Sequence, residues 1–283
     1  MPLIPLTDLL ADAALRGVAV GAFNVITVEH AEAFVRGADA IGAPVCLQLS
    51  QNCVQYHGAL APIAAATLAI ARAAAQPVAV HLDHAEDPEM VEEAVELGFG
   101  SVMFDGSRLD YDDNVAATAA VAESCHSAGV AVEAELGEIG GKDGAHAPGV
   151  RTDPAEAARF VAATGVDALA VAVGTSHAML SPDAVVDHEL ISLLRDAVSV
   201  PLVLHGSSGV PDEEMARAVA SGISKVNIST RMNAVFTAQI RTVLSDRPEL
   251  VDPRRYLELA RKSVAEETAR LLGALAVPQA GES

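Results

Sequence analysis

Eight short apolar runs, each leading into a longer amphipathic segment, constrain this chain more than any other feature of its sequence. The runs cover 18–23, 44–49, 77–82, 101–104, 130–136, 167–173, 201–204 and 223–228. They are rich in aliphatic and β-branched residues, are bounded by turn formers and are too short for independent helices, so each reads as a strand. Their near-continuous apolarity predicts strands buried on both faces, as in a parallel sheet. Stretches such as 28–41, 88–97, 154–164 and 211–221 have helical periodicity, several opened by an Asp or Thr cap and closed by Gly. Eight βα units with right-handed crossovers close most simply into an α/β barrel of the (β/α)8, or TIM, type. Further helices over 6–15 and 253–272 flank it. No Ser/Gly linker divides the chain, and 283 residues is close to the roughly 250 such a barrel needs, so 1–283 reads as a single domain.

Composition narrows the function classes. Hydrophobic residues make up 51% but aromatics only 3%, with no Trp, so the core is built from small aliphatic side chains that suit helix against parallel sheet. A formal net charge of -20 opposes binding to nucleic acid or an anionic membrane surface, because both require basic patches. Cys46, Cys53 and Cys125 are odd in number and lack CxxC spacing, which argues against a disulfide framework or thiolate metal site and for buried small hydrophobes. The chain opens with no basic-then-apolar leader and contains no apolar stretch of membrane-spanning length, so a cytoplasmic protein is expected.

Polar residues collect at one end of the strands. Asn24, Ser50, Asp83 with His84, Asp105, Glu135, positions 174–177, His205 and Asn227 all fall at or just after strand C-termini, where barrel active sites are built. His84, His177 and His205 end the third, sixth and seventh strands. Three imidazoles converging on one barrel mouth suit Zn²⁺ with a fourth position open to substrate. In the run His81-Leu82-Asp83-His84, strand alternation puts His81 and Asp83 on one face, with His84 coming off the strand's end and Asp83 then beside the metal. Asp83 is then either a general acid or base or a carboxylate that fixes an imidazole. The turn 205–209 and the strand end 227–230 each precede a helix, after the seventh and eighth strands, where barrels of this type bind phosphate; plain helix capping is the alternative.

The segments 81–84, 133–137 with Gly140-Gly141, 174–177, 205–209 and 227–230 closely resemble the class II fructose- and tagatose-bisphosphate aldolases, and the resemblance runs through nearly the whole chain, including 252–256. It implies one catalytic zinc on His84, His177 and His205, with Asp83 as acid or base at the hydroxyl of the bond being broken and Asn227 holding the enediolate. Asp105 and Glu135 match acidic positions that serve metal movement or a second cation. Ser50 matches a hydroxyl that orients substrate, and Gly206, Ser208, Ser229 and Thr230 match phosphate contacts, beside which a monovalent cation is expected. The implied reaction is reversible aldol cleavage with dihydroxyacetone phosphate as nucleophile, on phosphorylated sugars, by a homodimer or homotetramer. A metal Lewis acid stabilises the enediolate without a Schiff-base lysine, and the strand-end positions contain no lysine.

Several positions depart from the pattern. Asp143 stands where the family's mobile loop carries a Glu that moves the proton at the nucleophilic carbon, and is assigned that role. Ala178 replaces a Gly, and Met179-Leu180 a more polar pair. Arg231 and Asn233 stand where the family places an acid and then a basic side chain for the far phosphate. Arg231 is expected to offer its planar fork to a carboxylate or phosphate, making a carboxylated aldehyde such as malonic semialdehyde a candidate beside glyceraldehyde 3-phosphate. A 6-phospho-5-dehydro-2-deoxygluconate-type aldolase is an alternative within the family. Outside it stand a zinc hydrolase, which would not need the phosphate cradle, and a non-catalytic barrel, which would be expected to have lost a ligand or Asp83. His57 is expected on a loop, with no ligand role.

Overall fold

The computed structural model describes residues 2–136, 151–175 and 186–276. Strands β1 (Val20–Asn24), β2 (Val45–Ser50), β3 (Val78–Ala85), β4 (Ser101–Phe104), β5 (Ala131–Leu136), β6 (Ala168–Val171), β7 (Leu202–Leu204) and β8 (Ile223–Ile228) pair in parallel and in chain order, and β8 closes on β1. The predicted barrel is therefore formed. The helices are α1 (Leu6–Arg16), α2 (Val28–Ile41), α3 (Gln51–His57), α4 (Ala61–Ala73), α5 (Pro88–Leu97), α6 (Tyr111–Ser127), α7 (Pro154–Thr164), α8 (His188–Ala197), α9 (Asp212–Ser221), α10 (Thr230–Asp246) and α11 (Pro253–Leu275), with a 3-10 turn at Ser207–Gly209.

Local chemistry sets many of these boundaries. Asp87, Asp153 and Asp252 each precede a proline and accept the N–H of Glu89, Glu156 and Arg254, so α5, α7 and α11 begin with the same Asp-Pro device. The carboxylate satisfies an orphan donor, worth about 1 kcal/mol, and proline loses nothing at a position whose N–H has no helical partner. Thr27, by contrast, makes no capping bond at α2; its Oγ1 lies 3.1 Å from His30 Nδ1. His57 is the last residue of α3, not part of a loop, and its Nε2 lies 2.7 Å from the carbonyl of Ile26.

Strand alternation divides the core in two. Outward residues such as Phe23, Leu47, Leu82, Leu169 and Ile228 pack under the helical ring with Phe34, Leu68 and Phe160. Inward residues at the base are small, Ala22, Cys46, Ala79, Ala168 and Ala170 with Met103 and Val203, and α1 inserts Leu6, Leu9, Leu10 and Ala13 against them. The base of the barrel is thus an apolar plug. Above it the inward positions turn polar: Gln48, His81, Ser101, Glu133 and Lys225 are all buried, and Asn24, Asp83, Asp105, Glu135, His205 and Asn227 follow towards the mouth. On the outside, α2 and α11 meet at Gly37, where a Cβ would lie 2.6 Å from the Ala265 carbonyl oxygen, so glycine permits the approach.

Candidate active site

Two consecutive residues of β3 reach the mouth because the strand is irregular there. Its pairing with β4 shifts register between Leu82 and Ala85, and His84 has φ 52°, the one non-glycine residue with positive φ among those described. A bulge re-aims a side chain in this way at a cost of about 1 to 3 kcal/mol for the left-handed backbone. His84 therefore lies within the strand and turns by backbone strain, instead of coming off its end as expected.

The result is a compact cluster. His84 Nδ1 lies 2.8 Å from Asp105 Oδ2, and His84 Nε2 lies 3.0 Å from His205 Nδ1. On its far side, His205 Nε2 lies 2.9 Å from Glu133 Oε1. Each imidazole thus has a carboxylate on one nitrogen and the other imidazole on its second. With their protons directed at the carboxylates, the two facing nitrogens present lone pairs to each other, an arrangement that a cation between them stabilises. Asp83, His84 and His205 offer donor atoms within 4.8 Å of one another, as do His84, Asp105 and Glu135. Nitrogen with carboxylate oxygen is a donor set that fits zinc. His177 and Asp143 lie outside the described residues.

Asp83 sits beside this cluster, its Oδ1 3.9 Å from His84 Nε2. Asn24 Nδ2 donates to its Oδ2 at 2.8 Å, Asn227 Nδ2 approaches its Oδ1 at 3.3 Å, and Gln48 Nε2 donates to Asn24 Oδ1 at 2.9 Å. Burial alone would raise the Asp83 carboxyl, but His84, His205, Lys225 and His81 outweigh it and hold the group down to about 2. Asp83 is therefore an ionised, aimed acceptor. Burial pushes the His205 imidazole down, and burial with Lys225 brings His81 to about 3.

The expected phosphate residues gather where β7 and β8 end. Gly206, at φ 65°, starts the 3-10 turn, Ser207 Oγ donates to the Asn227 carbonyl at 2.5 Å, and Ser208 Oγ accepts the N–H of Arg231 at 3.3 Å. Ser229 and Thr230 form the N-terminus of α10, and Ser229 makes no side-chain cap bond. Ser50 neighbours Asp83 in the β2–β3 register, while its Oγ accepts the Cys53 N–H as cap of α3. Asn233 is half-buried on α10.

Arg231 differs from expectation. Its Nη1 donates to Asp212 and its Nε to Glu267, both at 2.8 Å, and Arg270 joins the same two acids. This network ties α10 to α9 and α11 and engages the guanidinium at both Nη1 and Nε.

Sequence reading also passed over residues one layer below the mouth. Glu133 and Lys225 form a buried ion pair at 2.6 Å, and Gln48 steadies Asn24. A signal was present: Glu133 and Lys225 each stand two positions before a site residue, Glu135 and Asn227, hence on the same strand face.

A closed parallel barrel with imidazoles, carboxylates and carboxamides converging at the C-terminal ends of its strands defines an α/β-barrel enzyme. The chain belongs to the class II fructose-bisphosphate aldolase family, whose model matches residues 4–277. It is similar to the YdjI aldolase of Escherichia coli K12, with 30% identity over 96% of this chain and 97% of that one and a TM-score of 0.86. A putative fructose-1,6-biphosphate aldolase from Coccidioides immitis is 29% identical over 95% and 94%, with a TM-score of 0.84. The fructose-bisphosphate aldolase of Campylobacter jejuni, 21% identical over 98% and 97% with a TM-score of 0.81, shares the fold. The chain is thus an aldolase, a carbon–carbon lyase. Among the described residues no single helix is long and apolar enough to cross a membrane.

Proposed function

We propose that this chain is a zinc-dependent aldolase that joins dihydroxyacetone phosphate to a short aldehyde and cleaves the product, acting as a cytoplasmic homodimer or homotetramer with the whole of 1–283 as one unit. The observation that carries the reading is Asp83, held by Asn24 and Asn227 beside the facing nitrogens of His84 and His205. Zinc held by His84, His205 and His177 would supply Lewis acidity at the substrate carbonyl. Asp83 takes the proton of the hydroxyl next to the breaking bond and returns it in condensation, since an ionised carboxylate with fixed orientation needs no reorganisation. Asn227 donates to oxygen that gains charge, and Asp143 handles the proton at the nucleophilic carbon. Gly206, Ser208, Ser229 and Thr230 bind phosphate at the start of α10, with a monovalent cation offsetting its charge. Asp105 and Glu135 are alternate cation ligands.

At the aldehyde end Asn233 offers a neutral amide, and the Arg231 charge is taken up by Asp212 and Glu267. An uncharged short aldehyde is therefore favoured over one bearing phosphate or carboxylate. The test compares kcat/KM for fructose and tagatose bisphosphates with condensation rates for uncharged, carboxylated and phosphorylated aldehydes, then repeats the series with Asn233→Arg. The substitution is expected to improve bisphosphate cleavage ten- to a hundredfold, since a charge-assisted contact is worth about 1.5 to 3 kcal/mol. Efficient fructose-bisphosphate cleavage by the native enzyme, unimproved by the substitution, would overturn the specificity assignment.

A further inference from the structure

Beneath the mouth lies a charged pair to which the reaction above assigns no contact with substrate. Glu133 of β5 and Lys225 of β8 are both almost wholly buried, and their contact at 2.6 Å spans the barrel interior between non-adjacent strands. Burying an ion pair gains little stability over an apolar pair of the same volume, because desolvation offsets the attraction. A structural role alone would be met as well by the small aliphatic residues that fill the layer below. What the pair does have is a third partner, since the second oxygen of Glu133 lies 2.9 Å from His205 Nε2.

We propose that Glu133 and Lys225 are positioning residues that fix His205 as its Nε2–H tautomer and so aim the Nδ1 lone pair at the metal position. The inference rests on the zinc reading above. A carboxylate beside an ammonium accepts hydrogen bonds and donates none, so the imidazole nitrogen facing it carries the proton. The other nitrogen, Nδ1, is then the basic one, and it is the one that faces His84 Nε2 at 3.0 Å. His84 repeats the pattern through Asp105 at its Nδ1, so both rings are set by acids behind them. Two neighbours compete: Glu135 Oε2 lies 3.8 Å from Nδ1, beyond hydrogen-bond reach, and Asn227 Nδ2 lies 3.0 Å from the same His205 Nε2, where as sole donor it would select the opposite tautomer and turn a proton towards the metal. Lys225 decides between the two tautomers by keeping Glu133 an acceptor.

The test uses the full chain and zinc itself. Zinc affinity is measured by competition with a chelating dye for the native protein, Glu133→Gln, Lys225→Met and the double variant Glu133→Gln/Lys225→Met, whose neutral pair guards against misfolding from a lone buried charge. The His205 tautomer is read in the metal-free protein by long-range ¹H–¹⁵N correlation of the imidazoles. The expected result is an Nε2–H tautomer in the native protein, its loss or mixing in Glu133→Gln and the double variant, and zinc binding weakened about 10- to 100-fold with activity recovered at saturating zinc. Unchanged tautomer and affinity in a folded double variant would overturn the proposal while leaving the zinc enzyme intact. Failure of the native protein to bind zinc would overturn both.

Discussion

Asn24 Nδ2 and Asp83 Oδ2 are 2.8 Å apart, on strands separated by β2, whose Gln48 in turn holds the Asn24 oxygen. This chain of carboxamides aims the carboxylate, so the two residues should act as a unit. Asp83→Ala is expected to keep zinc and lose about 10²-fold or more in cleavage rate, the usual scale for a positioned acid or base. Asn24→Ala, made in the native and in the Asp83→Ala background, should slow the native enzyme and change little in the variant. If Asp83→Ala instead released zinc with no separate rate defect, Asp83 would be a support for His84.

Metal dependence follows from the facing imidazoles. Treatment with a chelator should abolish aldol cleavage, and Zn²⁺ or Co²⁺ should restore it. His84→Ala, His177→Ala and His205→Ala should each lose zinc by atomic absorption, whereas His57→Ala, whose ring lies against the Ile26 carbonyl at the end of α3, should retain it. Full turnover by metal-free protein would end the zinc assignment.

Gly37 offers a test in which two rules oppose each other. Alanine is the better helix former by about 1 kcal/mol, yet its Cβ would meet the Ala265 carbonyl oxygen at 2.6 Å and Thr268 Cβ at 2.7 Å on α11. Neither atom is the free end of a flexible chain, so overpacking wins. Gly37→Ala should lower stability by about 1 to 3 kcal/mol in urea unfolding, and a stabilised variant would contradict the α2–α11 packing.

His30 makes stability depend on pH away from the active site. Burial pushes its imidazole down to about 4, with Glu29 opposing only in part, while the Phe236 ring lies tilted against it at 4.5 Å and Nε2 has no hydrogen-bond partner among the described residues. The native state then binds fewer protons than the unfolded chain, so stability is complete above about pH 6.5 and is lost as pH falls towards 4. At pH 5 the cost is about 2 kcal/mol. His30→Gln should recover about that much stability relative to native on going from pH 7.5 to pH 5, and a pH-independent difference would refute the shift.

The barrel itself was legible in the sequence, because buried parallel strands and amphipathic helices write their periods into local composition, and the Asp-Pro caps mark helix starts within a few residues. His84, His205, Asp83 and Asn227 could be singled out as polar residues ending apolar strands. What the sequence left open depended on approach between distant segments. The backbone strain that turns His84 arises where β3 and β4 change register, and no local pattern marks it. Arg231 looked available to substrate until α9 and α11 brought Asp212 and Glu267 against it. Glu133 and Lys225, 92 residues apart, become partners only when the barrel closes, because hydrogen bonds and charge act over a few ångströms of space and not along the chain.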